Sequence, residues 1–238
     1  MSRTFLQLCQ DIVADLGIAG GTLQSVSGSL NREQQNICNW VARSDLYIQN
    51  LWSDWNFLYY LDNAVTCNAG SDQLVTSPPA WAANIQSYDL ESLWISAGSL
   101  VAQRIPWMDW NDFYVRYQVR QKNTQTTPNF FSVDPNGQIW LSEIAAQNTT
   151  FTMQYWCVGI RMVNNGDMSR IPTNFDTIIN ERAKIIYATR ENAPEILSGA
   201  SAEVSDQLDK MQAYCLPSNV AGRKSRNNRT TVIPSYVE

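Results

Sequence analysis

The feature that most constrains this chain is a change of hydrophobic period near residue 52 and its reversal near residue 174. Up to that point apolar residues recur every three or four positions: Phe5, Leu8, Cys9, Ile12, Val13 and Leu16, then Ile37, Trp40, Val41, Ser44, Ile48 and Leu51. That spacing lays one stripe along a helix. After Trp52-Ser-Asp-Trp55 the texture turns aromatic and β-forming, as in Phe57–Thr66. Helical spacing returns with Phe175, Ile178, Ile179, Arg182, Ile185, Ile186 and Thr189. A helical stripe cannot face one core as a strand, nor a strand pattern as a helix. The chain must therefore run helix, sheet, helix, with the sheet inserted.

Local signals sharpen this outline. Thr4 and Gln7 form a capping box, and Gly17 is a plausible stop. Residues 17–29 read as a loop, and a second helix is expected over 30–53, with Ser29 as a possible cap and Arg32, Glu33, Asn36 and Arg43 on its polar face. The two helices are expected to pack as an antiparallel pair. Asn68–Ser71 is a turn into a return strand at 73–76, which Pro78 and Pro79 end. Further strands are expected at 85–89, 93–95 and 102–105, then a short helix near 109–119 opened by Asp109. A polar loop covers 121–127. Asp134-Pro-Asn-Gly137 is a hairpin turn between strands 130–133 and 138–141. A long strand fits 150–158, and helices fit 174–192, capped by Thr173 or Asn174, and 200–215 with Val204, Leu208 and Met211. The expected class is α+β: a helical bundle from the N- and C-terminal helices, an inserted antiparallel β-domain and an extended C-terminal arm. Its divisions are 1–56, 57–165, 166–216 and 217–238.

Composition excludes several chemistries. The 238 residues contain no histidine, so triads and His-based metal sites cannot form. Cys9, Cys38, Cys67, Cys157 and Cys215 are scattered and form no CxxC pair, which suggests reduced thiols. No window nears ~18 consecutive apolar residues, so no membrane span is expected, and no cationic segment followed by an apolar run suggests export. Gly20-Gly21-Thr22 lacks the lysine of a phosphate loop and follows a helix, which argues against nucleotide binding. The pairs Asp109/Asp112 and Asp89/Glu91 could serve acid/base hydrolysis, but read more simply as caps and strand ends. No cofactor is implied.

Two features point to partners. The chain has nine tryptophans, and Trp52, Trp55, Trp81, Trp94, Trp107, Trp110, Trp140 and Trp156 fall in or beside the β region. They suit core and interface packing, or else a sugar-stacking platform. Residues 217–238 carry Arg223, Lys224, Arg226 and Arg229 against Glu238, a net +3 that leaves −8 of the overall −5 for the rest. The segment has no amphipathic period and alone should be disordered. Its apolar end, Val232, Ile233 and Tyr236, favours a protein-binding arm over a salt-sensitive DNA contact or an idle tail.

A series of segments carries a family resemblance. These are Asp15-Leu16-Gly17, Ile48 through Leu58 with its WxDWxF pattern, and Ile105-Pro-Trp107-Met-Asp109-Trp110-Asn-Asp-Phe113. Thr127-Pro128-Asn-Phe-Phe131, Gly137-Gln-Ile139-Trp-Leu141, Gln154-Tyr155-Trp156 and Ile171-Pro172-Thr-Asn-Phe175 come next in order. Together they resemble the tail adaptor, or head-to-tail connector, proteins of short-tailed bacteriophages, over most of residues 1–215. The resemblance implies a virion protein of the neck, assembled in the bacterial host cytoplasm, with no enzymatic activity. It implies a homo-oligomeric ring of about twelve copies beneath the portal protein. A tail nozzle or other tail protein would lie on the far side, and double-stranded DNA would pass through the lumen without sequence-specific binding. By position, Arg223, Lys224, Arg226, Arg229, Val232, Ile233 and Tyr236 become the portal-contacting arm. Trp52, Trp55, Trp107 and Trp110 become candidates for subunit or tail interfaces.

Overall fold

The computed structural model describes residues 3–17, 23–28, 30–76, 84–95, 103–120, 122–125, 127–216 and 229–231. The fold is mixed α and β, and the chain divides into two compact units. Unit 1 is Met1–Leu58 with Gly159–Asn219, and unit 2 is Tyr59–Val158 with Val220–Glu238. The return to the helical unit thus comes at Gly159, before the expected residue 166.

Unit 1 begins with α1 (Phe5–Asp15). The Thr4 hydroxyl accepts from the Gln7 backbone N–H, and the Gln7 side chain accepts from the Thr4 N–H, so the expected box forms. Gly17 follows at φ +61°, a conformation glycine adopts without cost. Helix α2 (Arg32–Asn50) starts later than expected: Asn31 is its cap, boxed with Gln34, because the carboxamide supplies the acceptor two residues further on. Ser29, like Gly20-Gly21-Thr22, Pro78-Pro79 and Trp81, lies outside the described residues.

A 3-10 turn, Asn56–Leu58, leads into unit 2. Strand β1 (Tyr59–Cys67) turns at Gly70 into β2 (Leu74–Val75). Then come β3 (Ile85–Asp89), β4 (Trp94–Ile95) and β5 (Gln103–Arg104), followed by α3 (Trp110–Phe113) and a π-helical turn, Tyr114–Gln118. Next are β6 (Thr124–Gln125), the hairpin β7 (Phe131–Val133) and β8 (Ile139–Leu141), β9 (Ile144–Ala145) and the nine-residue β10 (Thr149–Cys157). The hairpin turn is built as expected. Gly137 sits at φ +83°, and the Asp134 carboxylate accepts from the N–H groups of Asn136 and Gln138. The main sheet runs β3–β10–β1–β2, with β4 also on β10 and β5 on β4, all antiparallel. Among the described residues the expected antiparallel domain has two parallel exceptions, the pair β6–β9 and an isolated bridge between Trp107 and Phe131. The excursion through residues 126–143 is longer than the dozen or so residues a parallel connection needs.

Along β10 burial alternates strictly, with Thr149, Phe151, Met153, Tyr155 and Cys157 buried. That face, with Val65, Leu93, Ile95, Ile105, Phe131 and Leu141, forms the core of unit 2. Burying each such side chain contributes about 1.5–3 kcal/mol. A bulge between Asp62 and Val65 shifts β1 by one residue and keeps both on that face.

Back in unit 1, a 3-10 turn, Thr173–Phe175, precedes α4 (Thr177–Glu191). Asn192 ends α4 at φ 55°, in the left-handed region that asparagine tolerates. Helix α5 (Pro194–Cys215) begins six residues before the expected Ala200. Pro194 pre-sets the first helical φ and lacks an N–H that would have no intrahelical partner there; Gly199 within the second turn disguises the helix in sequence. Leu8, Ile12, Ile37, Val41, Ile48, Trp55, Ile178 and Met211 share one core and are fully buried.

Residues 229–231 form β11 (Arg229–Thr231), which pairs antiparallel with the outer edge of β3. Here the structure departs from the expectation of a segment without structure of its own. An unpaired sheet edge offers N–H and C=O groups, and an extended segment satisfies them.

Candidate protein-interaction surface

Among the described residues, exposed apolar side chains are most concentrated on unit 2, in and just after the π-turn that follows α3. Asp109 caps α3 by accepting from the Asn111 N–H at 2.9 Å. The helix then widens, so that the Val119 N–H reaches the Tyr114 carbonyl at 3.2 Å. Widening inserts a residue into the turn and re-aims the side chains beyond it, a device frequent at functional sites. Phe113 points inward and is fully buried, whereas Tyr114, Val115 and Val119 are 51%, 64% and 69% exposed. Arg116 and Arg120 are exposed beside them. Within Tyr114–Arg120 the only charged residues are Arg116 and Arg120, so this stretch is apolar and basic, while Asp109 and Asp112 are exposed at the start of α3.

Beneath it is a rigid aromatic base. Trp110 lies 6.0 Å from Phe113, 5.8 Å from Tyr114 and 6.3 Å from Trp140 between ring centroids. Phe113 meets Tyr117 at 5.2 Å, and Tyr117 meets Phe130 at 6.3 Å. The Lys122 ammonium sits 5.4 Å from the Phe113 ring centre and 5.7 Å from that of Trp140. It pairs with Asp72 at 2.5 Å and donates to the Leu141 carbonyl at 2.9 Å. These contacts order the rings beneath the exposed rim, and ordered rings lose little entropy on binding.

The predicted residues have different fates. Trp110 is half-buried in the aromatic base. Trp107 is half-buried against the sheet core, and its indole N–H has no partner among the described residues. Trp52 is half-buried in unit 1 and packs edge-on against Trp55 at 5.1 Å. Trp55 is fully buried, donates to the Ile48 carbonyl at 3.0 Å and stacks on Phe57, so it presents no surface to a partner. Arg229 is the first residue of β11, in register with Asp89. Arg223, Lys224, Arg226, Val232, Ile233 and Tyr236 lie outside the described residues.

The carboxylate pairs have local work. Asp109 is a cap, while Asp89 accepts from Tyr59 Oη at 3.1 Å and from the Glu91 N–H. Glu91 faces Arg104 at 3.7 Å. Among the described residues no group of three or more Cys, Asp or Glu side chains is arranged to hold a metal ion. No described helix is long and apolar enough to cross a membrane.

Sequence reasoning passed over two sets of residues. One is the exposed trio Tyr114, Val115 and Val119; its signal was available, because apolar residues in Trp110–Val119 point to all sides of a helix. The other is buried and polar. Asp45 of α2 is fully buried, accepting from Ser169 Oγ at 2.5 Å and from Gln49 Nε2 at 2.7 Å. Burial pushes its carboxyl up to about 7, against the opposing pull of those two donors. In unit 2, Tyr60, Tyr155 and Tyr88 stand opposite one another across β1, β10 and β3. Burial, and then the Asp62 charge, pushes the Tyr155 phenol up. The buried Tyr155 hydroxyl and Asp62 Oδ2 have no partner among the described residues.

The sequence matches no protein-family model and no curated protein.

Proposed function

We propose that this chain is a structural subunit of a bacteriophage neck, a head-to-tail adaptor with no reaction of its own. Copies join into a ring of about twelve between the portal and the tail nozzle, and DNA passes through the lumen. The observation that carries the reading is the basic, aromatic-backed surface at Tyr114–Arg120. Exposed apolar residues concentrated in one segment mark an interaction site rather than a solvated face. The ordered resemblance of segments across residues 1–215 supports it. So does the −8 charge outside residues 217–238, since an acidic channel lets phosphate slide where lysine and arginine would hold it. In this reading Tyr114, Val115 and Val119 face a neighbouring subunit or a tail protein. The basic stretch Arg223, Lys224 and Arg226 reaches the acidic surface of the portal, weakly per copy and strongly when repeated around a ring.

The test is solution mass by light scattering, for the chain alone and with its portal. A ring-sized complex is expected with portal, and deletion of 217–238 is expected to abolish it while the body stays folded. Attachment retained by the truncated chain would overturn the arm's role. A second reading, glycan binding, draws on Trp94, which is 40% exposed and stands in register with Thr152 and Arg104 on the sheet. Quenching of tryptophan fluorescence by host glycans, lost in Trp94→Ala, would favour it over the connector.

A further inference from the structure

Two outward faces of unit 1 are opposite in charge and in shape. The first lies where α2 packs against α4. Trp40, Arg43 and Tyr47 follow one another at steps of three and four along α2, so they share one side of the helix. Arg182 of α4 lies over the Tyr47 ring at 4.6 Å, and Arg190 over the Trp40 ring at 5.6 Å. Tyr187 meets Trp40 edge-on at 6.0 Å between centroids. The two stacks repeat at about 10–12 Å along the helices. Tyr47 is 48% exposed, and Arg43 and Arg190 are exposed as well. Among the described residues neither Arg43 nor Arg182 has an ion-pair partner, and Arg190 meets Glu191 at 3.6 Å. Stacking on a ring orients a guanidinium plane and leaves its N–H edge open to an acceptor.

The second face is the outer side of α5. Glu195, Gly199, Ala202, Asp206, Asp209 and Ala213 recur at steps of four and three, the spacing of a packed helical seam, yet every one is exposed. Across the helix Glu195, Glu203, Asp206 and Asp209 stand against Lys210, a net −3. Lys210 is held by Asp206 at 2.5 Å. The small residues leave hollows between the carboxylates, and the space a side chain would fill at Gly199 is open. Projecting rings and guanidinium groups on one face thus match hollows edged by carboxylates on the other, and arginine pairs with carboxylate through two parallel hydrogen bonds. Both faces are exposed in one copy, so they do not meet within it.

We propose that the arginine–aromatic face of α2 and α4 is a docking site for the outer face of α5 on a second copy of this chain. The contact is heterologous. Each copy offers one face to each of two neighbours, which builds a ring where the rotation closes. This deepens the ring proposed above by naming its side faces. The pairing of the faces rests on their charge and shape; closure at about twelve copies rests on the connector reading.

The test is sedimentation velocity on the full chain, over a range of concentrations and at low and high salt. The chain is expected to self-associate as concentration rises, and less so in high salt. Arg43→Glu/Arg190→Glu reverses the first face and Asp206→Lys/Asp209→Lys the second. All four residues are exposed, so circular dichroism is expected to show folded variants. Each variant is expected to associate at least about tenfold more weakly than the parent chain. The chain carrying all four substitutions restores opposite charges on the two faces and is expected to associate again. Absence of rescue in that folded chain would overturn the pairing of these two faces. Association lost in Asp206→Lys/Asp209→Lys but retained in Arg43→Glu/Arg190→Glu would place another occupant against α5 and overturn it too. So would a parent chain that stays monomeric up to about 1 mM. Light scattering with portal reads the connector role separately, so either idea can fail without the other.

Discussion

Asp45→Asn is expected to stabilise unit 1 above neutral pH and to lose that advantage in acid. The Asp45 carboxyl is fully buried, and its ordinary value near 3.8 rises to about 7 because burial outweighs the Ser169 and Gln49 hydrogen bonds. A group held above its unfolded value binds its proton more tightly when folded. Its contribution is complete below about pH 4 and declines as pH rises through about 7. Above pH 7 the folded protein carries a buried charge that the unfolded chain solvates freely. Three units at 1.36 kcal/mol each set a ceiling of about 4 kcal/mol, and relaxation around the site reduces the expected figure to about 2–4 kcal/mol. Asparagine keeps the shape and cannot ionise. Its amide can donate to Ser169 Oγ while its carbonyl accepts from Gln49. The assay is urea denaturation of both proteins from pH 4.5 to 8.5, followed by tryptophan fluorescence. The difference curve between them cancels the other carboxylates. It should be near zero or slightly unfavourable to the variant at pH 4.5 and rise in its favour to pH 8.5. A flat difference, or a variant weaker at pH 8.5, would refute the argument that desolvation dominates at Asp45.

Other perturbations test the packing. Gly159→Ala places a Cβ 2.8 Å from Gln49 Cβ and 2.9 Å from Asn50 Oδ1, so we expect a loss of about 1–3 kcal/mol in urea midpoints; a neutral variant would mean the segment shifts freely. Trp55→Ala removes a fully buried ring and its bond to the Ile48 carbonyl, for an expected loss of about 3–5 kcal/mol; a small loss would place the ring outside the core. Arg3 contacts Asp176 and Asp11, each at 2.7 Å, but is partly exposed, so Arg3→Ala should cost only about 1 kcal/mol in thermal unfolding, and less in high salt. Replacing Tyr114, Val115 and Val119 together by serine should leave the far-ultraviolet circular dichroism and melting temperature nearly unchanged while weakening assembly with portal; full assembly would move the contact elsewhere.

What the sequence determined by itself is local. The Thr4–Gln7 box, the Asp134–Gly137 turn, the Asp109 cap and strand Ile85–Asp89 arise from groups a few residues apart, and each was legible. The alternation of helix, sheet and helix was legible for a similar reason, since period is a property of neighbours. Tertiary structure decided the rest. Asp45 lay on the apolar stripe of α2 with Gln49 one turn away as a local donor, but its other donor, Ser169, comes from 124 positions away. Trp55 and Trp94 look alike in sequence, yet one is sealed beneath Trp52 and Phe57 and the other lies open on the sheet. The parallel pairing of β6 with β9, the widening after Phe113 and the arrival of Arg229–Thr231 at β3 carry no local signature. Burial and strand pairing depend on which distant segment arrives, and that is settled only when the whole chain has closed around its two cores.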